Sequence, residues 1–220
     1  MRKWAKEHGL LLANLGCFLV FFVGMVLSGA ASYSEDQQAH GQPAASVLQF
    51  LGTGAFVEAT FENWESEFLQ MAMYVVLTVF LFQKGSSESK PMGRKSPQDE
   101  DPEHATISKA SPWPVRRGGA VLKLYEHSLS ILLFGLFLAS FTLHAAGGVA
   151  DYNQDQQSHG QPAITFLQYL GTSRFWFESF QNWQSEFLAV GVLVGASVYL
   201  REKGSPESKP VAEPHYETGA

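Results

Sequence analysis

The chain has 220 residues, with 21 acidic and 15 basic side chains, a formal net charge of −6 and a hydrophobic share of 45%. An acidic balance of this kind gives no basic footprint for nucleic acid, and the single cysteine, Cys17, excludes an intramolecular disulfide. The near-zero mean hydropathy of −0.05 suggests a soluble domain, but it averages over four apolar blocks, near 10–31, 68–82, 129–146 and 187–200, separated by polar stretches.

Arg2, Lys3 and Lys6 lead into the first block, which with its flanks is near the ~20 residues needed to cross a ~30 Å hydrocarbon core. A soluble bundle helix would carry a polar stripe, and Leu15–Leu27 has almost none. A cleaved signal peptide would share the basic start and the small residues near Ser28–Ser32. The equivalent segment later in the chain lies where no such cleavage is expected, so this one is read as a span. Cys17 is expected to be a small buried hydrophobe, and Asn14 is a polar residue inside the span.

A polar turn follows at His40-Gly41-Gln42. Pro43 is placed to start a short interfacial helix with Val47, Leu48 and Leu51 on one face and Gly52 at its end. Thr53 is then placed to cap a helix that passes Trp64, an interfacial aromatic, into the second apolar block. Residues 85–119 are rich in Ser, Pro, Lys, Asp and Glu and predict a flexible connection. The third block, which includes His144, leads to a second polar turn at His159-Gly160-Gln161. Pro162, Phe166, Leu167, Leu170 and Gly171 predict another interfacial helix, and Thr172 and Trp183 the start of the last span. The stretch from Lys203 resembles the connection in composition and is read as solvated.

The two halves match each other. Asp36-Gln37-Gln38-Ala39-His40-Gly41-Gln42-Pro43 recurs as Asp155-Gln156-Gln157-Ser158-His159-Gly160-Gln161-Pro162, at an offset of 119 that also pairs Asn63-Trp64 with Asn182-Trp183 and Lys84-Gly85-Ser86 with Lys203-Gly204-Ser205. The predicted organisation is repeat 1 over 1–91 with spans near 10–31 and 64–83, a disordered cytoplasmic linker over 92–122, repeat 2 over 123–210 with spans near 126–147 and 183–201, and a cytoplasmic tail over 211–220. Basic residues set the orientation: three precede the first span, eight lie between the second and third, three follow the fourth, and only Arg174 falls in the two remaining loops. Both termini are therefore expected in the cytoplasm and residues 32–62 and 147–181 outside, where the net charge is strongly negative. The predicted fold class is an all-α membrane protein, with four transmembrane helices arranged as two parallel helix-loop-helix repeats. Gly24 and Ser28, Gly135 and Ala139, and Gly191 and Gly195 are the small residues expected to permit close helix approach.

Polar residues present in both copies mark the candidate site. Glu62 and Glu65 become Gln181 and Gln184, whereas Asp36, His40, Gln49, Asn63 and Glu67 persist as Asp155, His159, Gln168, Asn182 and Glu186. Asn63 and Glu67 are four apart and share a helical face. An ionisable residue at the membrane edge is a functional candidate when it faces the bundle. One reading is a pair of equivalent sites, Asp36-His40-Glu67 and Asp155-His159-Glu186, holding a cation or relaying protons. The other is scaffolding, in which these groups lock the loops onto the helix ends. Glu7-His8 and Glu126-His127 form a second retained pair, read as acids in a helix's first turn. The aromatics Phe56, Phe61, Trp64, Phe175, Trp176, Phe180 and Trp183 read as an interfacial belt. No phosphate loop, nucleophile elbow or paired cysteine is present, and Ser66 and Ser185 do not form a triad with the histidines by any sequence signal. No catalytic, cofactor or metal residue is therefore assigned.

Phe61-Glu62-Asn63-Trp64-Glu65-Ser66-Glu67-Phe68-Leu69, together with His40-Gly41-Gln42-Pro43, resembles an uncharacterised family of bacterial integral membrane proteins described as a domain of unknown function. The resemblance runs from Arg2 to Pro210 and implies a multi-pass protein of the bacterial plasma membrane, without implying an activity. The function expected is structural, sensing or partner-binding through the external loops, with the bilayer and a membrane protein or second copy as partners. The alternative is a proton or cation transporter or channel using Glu67 and Glu186, and a membrane enzyme ranks third.

Overall fold

A computed structural model describes residues 2–219, and all the regular structure among them is helical. The helices are α1 (Arg2–Glu7), α2 (Gly9–Ala39), α3 (Val47–Phe50), α4 (Gly54–Phe80), α5 (Trp113–Arg117), α6 (Gly119–Glu126), α7 (Ser128–Ser158), α8 (Phe166–Tyr169) and α9 (Ser173–Ala196). Two of them, α2 and α7, are long and apolar enough to cross a membrane, with mean hydropathies of 2.5 and 2.0 in their most apolar windows. None of that window is buried in α2, so leucines and phenylalanines such as Leu10, Leu19 and Phe21 present an apolar surface on all sides. Lipid, rather than water, suits a surface of that kind.

Several local expectations need correcting. The helices outrun the apolar blocks: α2 and α7 continue to Ala39 and Ser158 through polar sequence, because nothing before the glycines Gly41 (φ +73°) and Gly160 (φ +68°) ends them. The short helices start not at Pro43 and Pro162 but at Val47 and Phe166, after the N-caps Ser46 and Thr165. Ser46 accepts from the Gln49 N–H while the Gln49 side chain accepts from the Ser46 N–H, and Thr165 and Gln168 do the same. This reciprocal capping satisfies two amide donors that the prolines could not. Glu7 and Glu126 are the last residues of α1 and α6, not members of a first turn, because His8 and His127 interrupt the helices with φ of −117° and −111°. The linker contains α5, the first half of α6 and a 3-10 turn at Pro97–Asp99, so it is not devoid of local structure; Lys90 Nζ donates to Asp99 at 2.6 Å and Ser96 Oγ donates to it at 2.9 Å.

The chain divides into two compact units. Unit 1 comprises residues 1–61 and 142–175. Two of its helices come close at Gly54 and Gly147, where a Cβ on Gly54 would stand 2.6 Å from the Gly147 carbonyl oxygen and 2.6 Å from the Asp151 nitrogen. Gly29 receives the ring of Phe50, 2.8 Å from where its Cβ would be, and Gly148 receives the Tyr169 ring in the same manner. Thus α3 lies against α2, and α8 against α7, each through an aromatic seated on a glycine. Small residues do provide close approach, but not at the predicted glycines: among the described residues nothing lies within 4 Å of a Cβ placed on Gly24, Gly135, Gly191 or Gly195. The loops are tied down by side chains of the long helices. Ser34 Oγ accepts from the Ala45 N–H at 3.1 Å, and Asn153 brackets Ile164, accepting from its N–H at 2.7 Å and donating to its carbonyl at 2.9 Å.

Unit 2 comprises residues 62–141 and 176–220. Trp183 is its aromatic hub, edge-on to Phe180 and Trp176 and against Phe137, and its indole N–H donates to the Glu65 carboxylate at 2.9 Å. The stretches Lys84–Pro91 and Lys203–Pro210 each close a hydrogen-bonded turn, with Ser89 Oγ accepting from the Gln83 N–H and Ser208 Oγ from the Glu202 N–H. The tail is not simply solvated. Lys209 is buried, and its ammonium donates to the carbonyls of Pro214, His215 and Glu217 at 3.2, 3.2 and 2.9 Å, which supplies partners for the charge as it leaves water.

Candidate functional site: a polar cavity in unit 1

A cavity of about 770 Å³ opens in unit 1, lined by Tyr33, Asp36, Gln37, His40, Gln42, Asp151, Gln154, Asp155, Gln157, Ser158 and Arg174. Apart from Tyr33 every lining residue is polar or charged, unlike the mostly apolar walls of a typical small-molecule pocket. Helices α2 and α7 supply most of it, because their polar extensions place Asp36 and Asp155 in the last turn before the glycine stops.

The sequence-derived candidates separate into two groups. Asp36, His40 and Asp155 line the cavity, and the His159 ring stands 6.3 Å from that of His40, centroid to centroid. Asn63, Glu67, Asn182 and Glu186 belong to unit 2 and do not line it. Instead of one site per copy, the structure joins the aspartate and histidine of one copy to those of the other. Helix geometry accounts for the separation, since Glu67 is thirteen residues into α4, about 20 Å along the axis at 1.5 Å per residue. Asn63 and Glu67 are both exposed, and Asn182 spends its amide on the Glu178 carbonyl at 3.1 Å. Glu67 and Glu186 are near enough for their charges to interact.

The histidines are oriented by their own helices. Nδ1 of His40 lies 2.9 Å from the Asp36 carbonyl oxygen and 3.6 Å from the Asp36 carboxylate; for His159 and Asp155 the figures are 2.9 and 3.5 Å. A carbonyl oxygen only accepts, so Nδ1 carries the hydrogen in both rings and Nε2 keeps its lone pair. Tyr33 links the two long helices: its hydroxyl oxygen accepts from Gln37 at 2.6 Å and from Gln154 at 2.9 Å.

An ionic cluster that the duplication does not reveal forms one wall. Arg174 Nη2 donates to Asp151 at 2.8 Å and lies 3.4 Å from the buried Glu58 carboxylate, which also accepts the Tyr169 hydroxyl at 3.1 Å. The Arg174 guanidinium stands 5.9 Å from the centre of the Tyr152 ring, within cation–π range. His144, fully buried, packs its ring 4.9 Å from Phe175. One signal did point here: Arg174 is the single basic residue in either segment expected outside, and an isolated cation among acids has a partner to find.

A family model described as a domain of unknown function (DUF6766) matches residues 1–220. The chain belongs to this family. No curated protein matches it, and no solved structure does. The cavity's chemistry must therefore be argued from its own residues. Three aspartates face one arginine, and that arginine is already held by two carboxylates. The other lining groups are the Asp36 and Asp155 carboxylates, the His40 imidazole, and amides and hydroxyls that both donate and accept; with no second cation among them, the negative balance suits a cation.

Proposed function

We propose that this DUF6766 protein is a four-span membrane protein of two parallel repeats that binds a small cationic solute at its external face, as a sensing or partner-regulated component. The observation that carries the reading is the gathering of Asp36, Asp151 and Asp155 around one cavity whose only arginine is already paired. Helices α4 and α9, with 27 and 24 residues, are about 40 and 36 Å long at 1.5 Å per residue, enough for the ~30 Å core despite their more polar beginnings. The basic residues of the termini and the connection favour a cytoplasmic location for all three. Unit 1 contains most of both segments expected outside, and unit 2 the connection and the tail. The recurrence of the capping box, the aromatic-on-glycine contact and the histidine turn at the same offset supports two copies of one fold unit.

Two experiments test the reading. In a Cys17→Ser background, a membrane-impermeant thiol reagent applied to intact cells should label cysteines introduced at Gln42 and Gln161 but not at Ser108; labelling of Ser108 alone would reverse the orientation. In lipid nanodiscs, a simple diamine should bind the wild-type chain and bind at least roughly tenfold more weakly to Asp36→Asn/Asp155→Asn, each lost charge pair contributing on the order of 1 kcal/mol in partly hydrated surroundings. Equal affinity would overturn the cation reading.

A second reading, passage of protons or cations by Glu67 and Glu186, is favoured by the proximity of the two carboxylates in unit 2. Its test is Glu67→Gln/Glu186→Gln in reconstituted vesicles. Lost flux at unchanged melting temperature supports transport, and equal flux in variant and wild type excludes it.

A further inference from the structure

We infer that His40 and His159 together form a binding site for a divalent transition-metal ion, an assignment that rests on the cavity of unit 1 being a cation site. Neither copy of the repeat offers more than one histidine here, which alone is a thin donor set. The structure changes that by bringing the two rings to 6.3 Å between centroids, at 76° to one another. Two imidazoles on one ion, each bound at ~2 Å, have centroids on the order of 5–6 Å apart, so the observed separation is close to the one a shared ion requires.

Orientation is the stronger argument. Each Nδ1–H is spent on a main-chain carbonyl, that of Asp36 at 2.9 Å or of Asp155 at 2.9 Å, which leaves both Nε2 lone pairs available. Metal-binding histidines are typically held by such a bond from the other ring nitrogen, which fixes the tautomer and raises the basicity of the ligating atom. The surroundings add two further effects. Both rings follow directly on the C-terminal ends of 31-residue helices, where the unpaired carbonyls carry partial negative charge. The carboxylates of Asp36 and Asp155 stand 3.6 and 3.5 Å from Nδ1 of the two rings and add negative charge beside them. Arg174, the nearby cation, is neutralised by Asp151 and Glu58. Two imidazole nitrogens favour zinc, nickel or copper over calcium or magnesium, which prefer oxygen alone.

The experiment uses the untagged full-length protein in lipid nanodiscs, with Cu²⁺ as the spectroscopic probe and Zn²⁺ as competitor. The expected result is one Cu²⁺ per chain, displaced by Zn²⁺, with electron paramagnetic resonance couplings from two imidazole nitrogens. His40→Ala and His159→Ala should each reduce the couplings to one nitrogen and weaken binding roughly tenfold or more. Thermal melts without metal check that the variants fold, and His40→Gln and His159→Gln, which keep bulk and polarity, should lose the nitrogen coupling equally. Couplings unchanged in both alanine variants, or Zn²⁺ affinity equal to wild type, would overturn the site. Diamine binding in the same preparations separates the two levels of argument: if it survives while the copper signal fails, the metal assignment falls alone; if both fail, the cation reading of the cavity falls with it.

Discussion

Tyr169 donates its hydroxyl hydrogen to the Glu58 carboxylate across 3.1 Å, and both side chains are buried. The tyrosine comes from the short helix α8 and the glutamate from α4, so one hydrogen bond fastens an otherwise marginal four-residue helix to a long one. Arg174 completes the arrangement from the first turn of α9.

Removing the arginine therefore exposes a defect larger than the bond it removes. Arg174→Met leaves Glu58 and Asp151 without their shared cation, and breaking one side of a buried pair destabilises by up to about 3–5 kcal/mol, reduced here to about 2 because the guanidinium is partly hydrated. The expected melting temperature in nanodiscs is well below wild type, with partial recovery in Glu58→Gln/Arg174→Met. A melt unchanged by Arg174→Met would show that the cluster carries no stability.

The glycine contacts make a graded prediction. Gly54→Ala sets a methyl against main-chain atoms of Gly147 and Asp151 that can move only with their helix, whereas Gly29→Ala meets the far edge of the Phe50 ring, which can rotate away. Overpacking of this kind destabilises by about 1–3 kcal/mol, with Gly54→Ala at the upper end or beyond and Gly29→Ala at the lower. Gly24→Ala and Gly191→Ala, which meet no neighbour within 4 Å among the described residues, should melt like wild type. Thermal melts of the four variants check the order.

How much of this was legible in the sequence depends on symmetry. Residues present in both copies were easy to single out; of them Asp36, His40 and Asp155 line one cavity, and the His159 ring stands 6.3 Å from that of His40. The same filter discarded Glu65 because its counterpart is Gln184, yet Glu65 is fully buried and holds Trp183. It was blind to Glu58, Asp151, Tyr169 and Arg174, whose counterparts are Phe177, Ser32, Phe50 and Ala55. Two copies that pack against each other need only one of each ionic pair, so their most specific contacts are the ones a comparison of copies removes. The helix ends were misplaced for another reason. Hydropathy marks where lipid suits a helix, while capping residues and glycine decide where the backbone stops.

The turn in the connection has a definite response to acid. The ammonium of Lys90, with Ser96, holds the Asp99 carboxyl below the ordinary carboxylate range. A folded-state value lower than the unfolded one means that the turn is favoured above the ordinary Asp range near pH 4 and loses that preference as pH falls through the depressed value. Amide hydrogen exchange at Asp99 and Glu100 should show protection falling toward that of an open chain across this acid range, corrected for the intrinsic exchange rate. Lys90→Met should move the transition to higher pH. Protection independent of both changes would show that the turn is held by its backbone alone.

The Glu65–Trp183 bond gives the sharpest test of why an acid in one copy answers to an amide in the other. The carboxylate needs only to accept from the indole N–H, and a glutamine side-chain oxygen does that equally well. Glu65→Gln is thus expected to melt within about 0.5 kcal/mol of wild type, as substitutions that preserve their bonds usually do. Trp183→Phe is different, because the ring packing against Phe180 and Phe137 is largely kept while the donor is lost inside a buried environment. Leaving an acceptor short of its bond there is worth about 1–3 kcal/mol, read as a lower melting temperature. Glu65→Gln/Trp183→Phe should be no worse than Trp183→Phe alone, since the bond is already gone. If Glu65→Gln proves as damaging as Trp183→Phe, the negative charge itself is required at this position, and the copies differ by function rather than by packing.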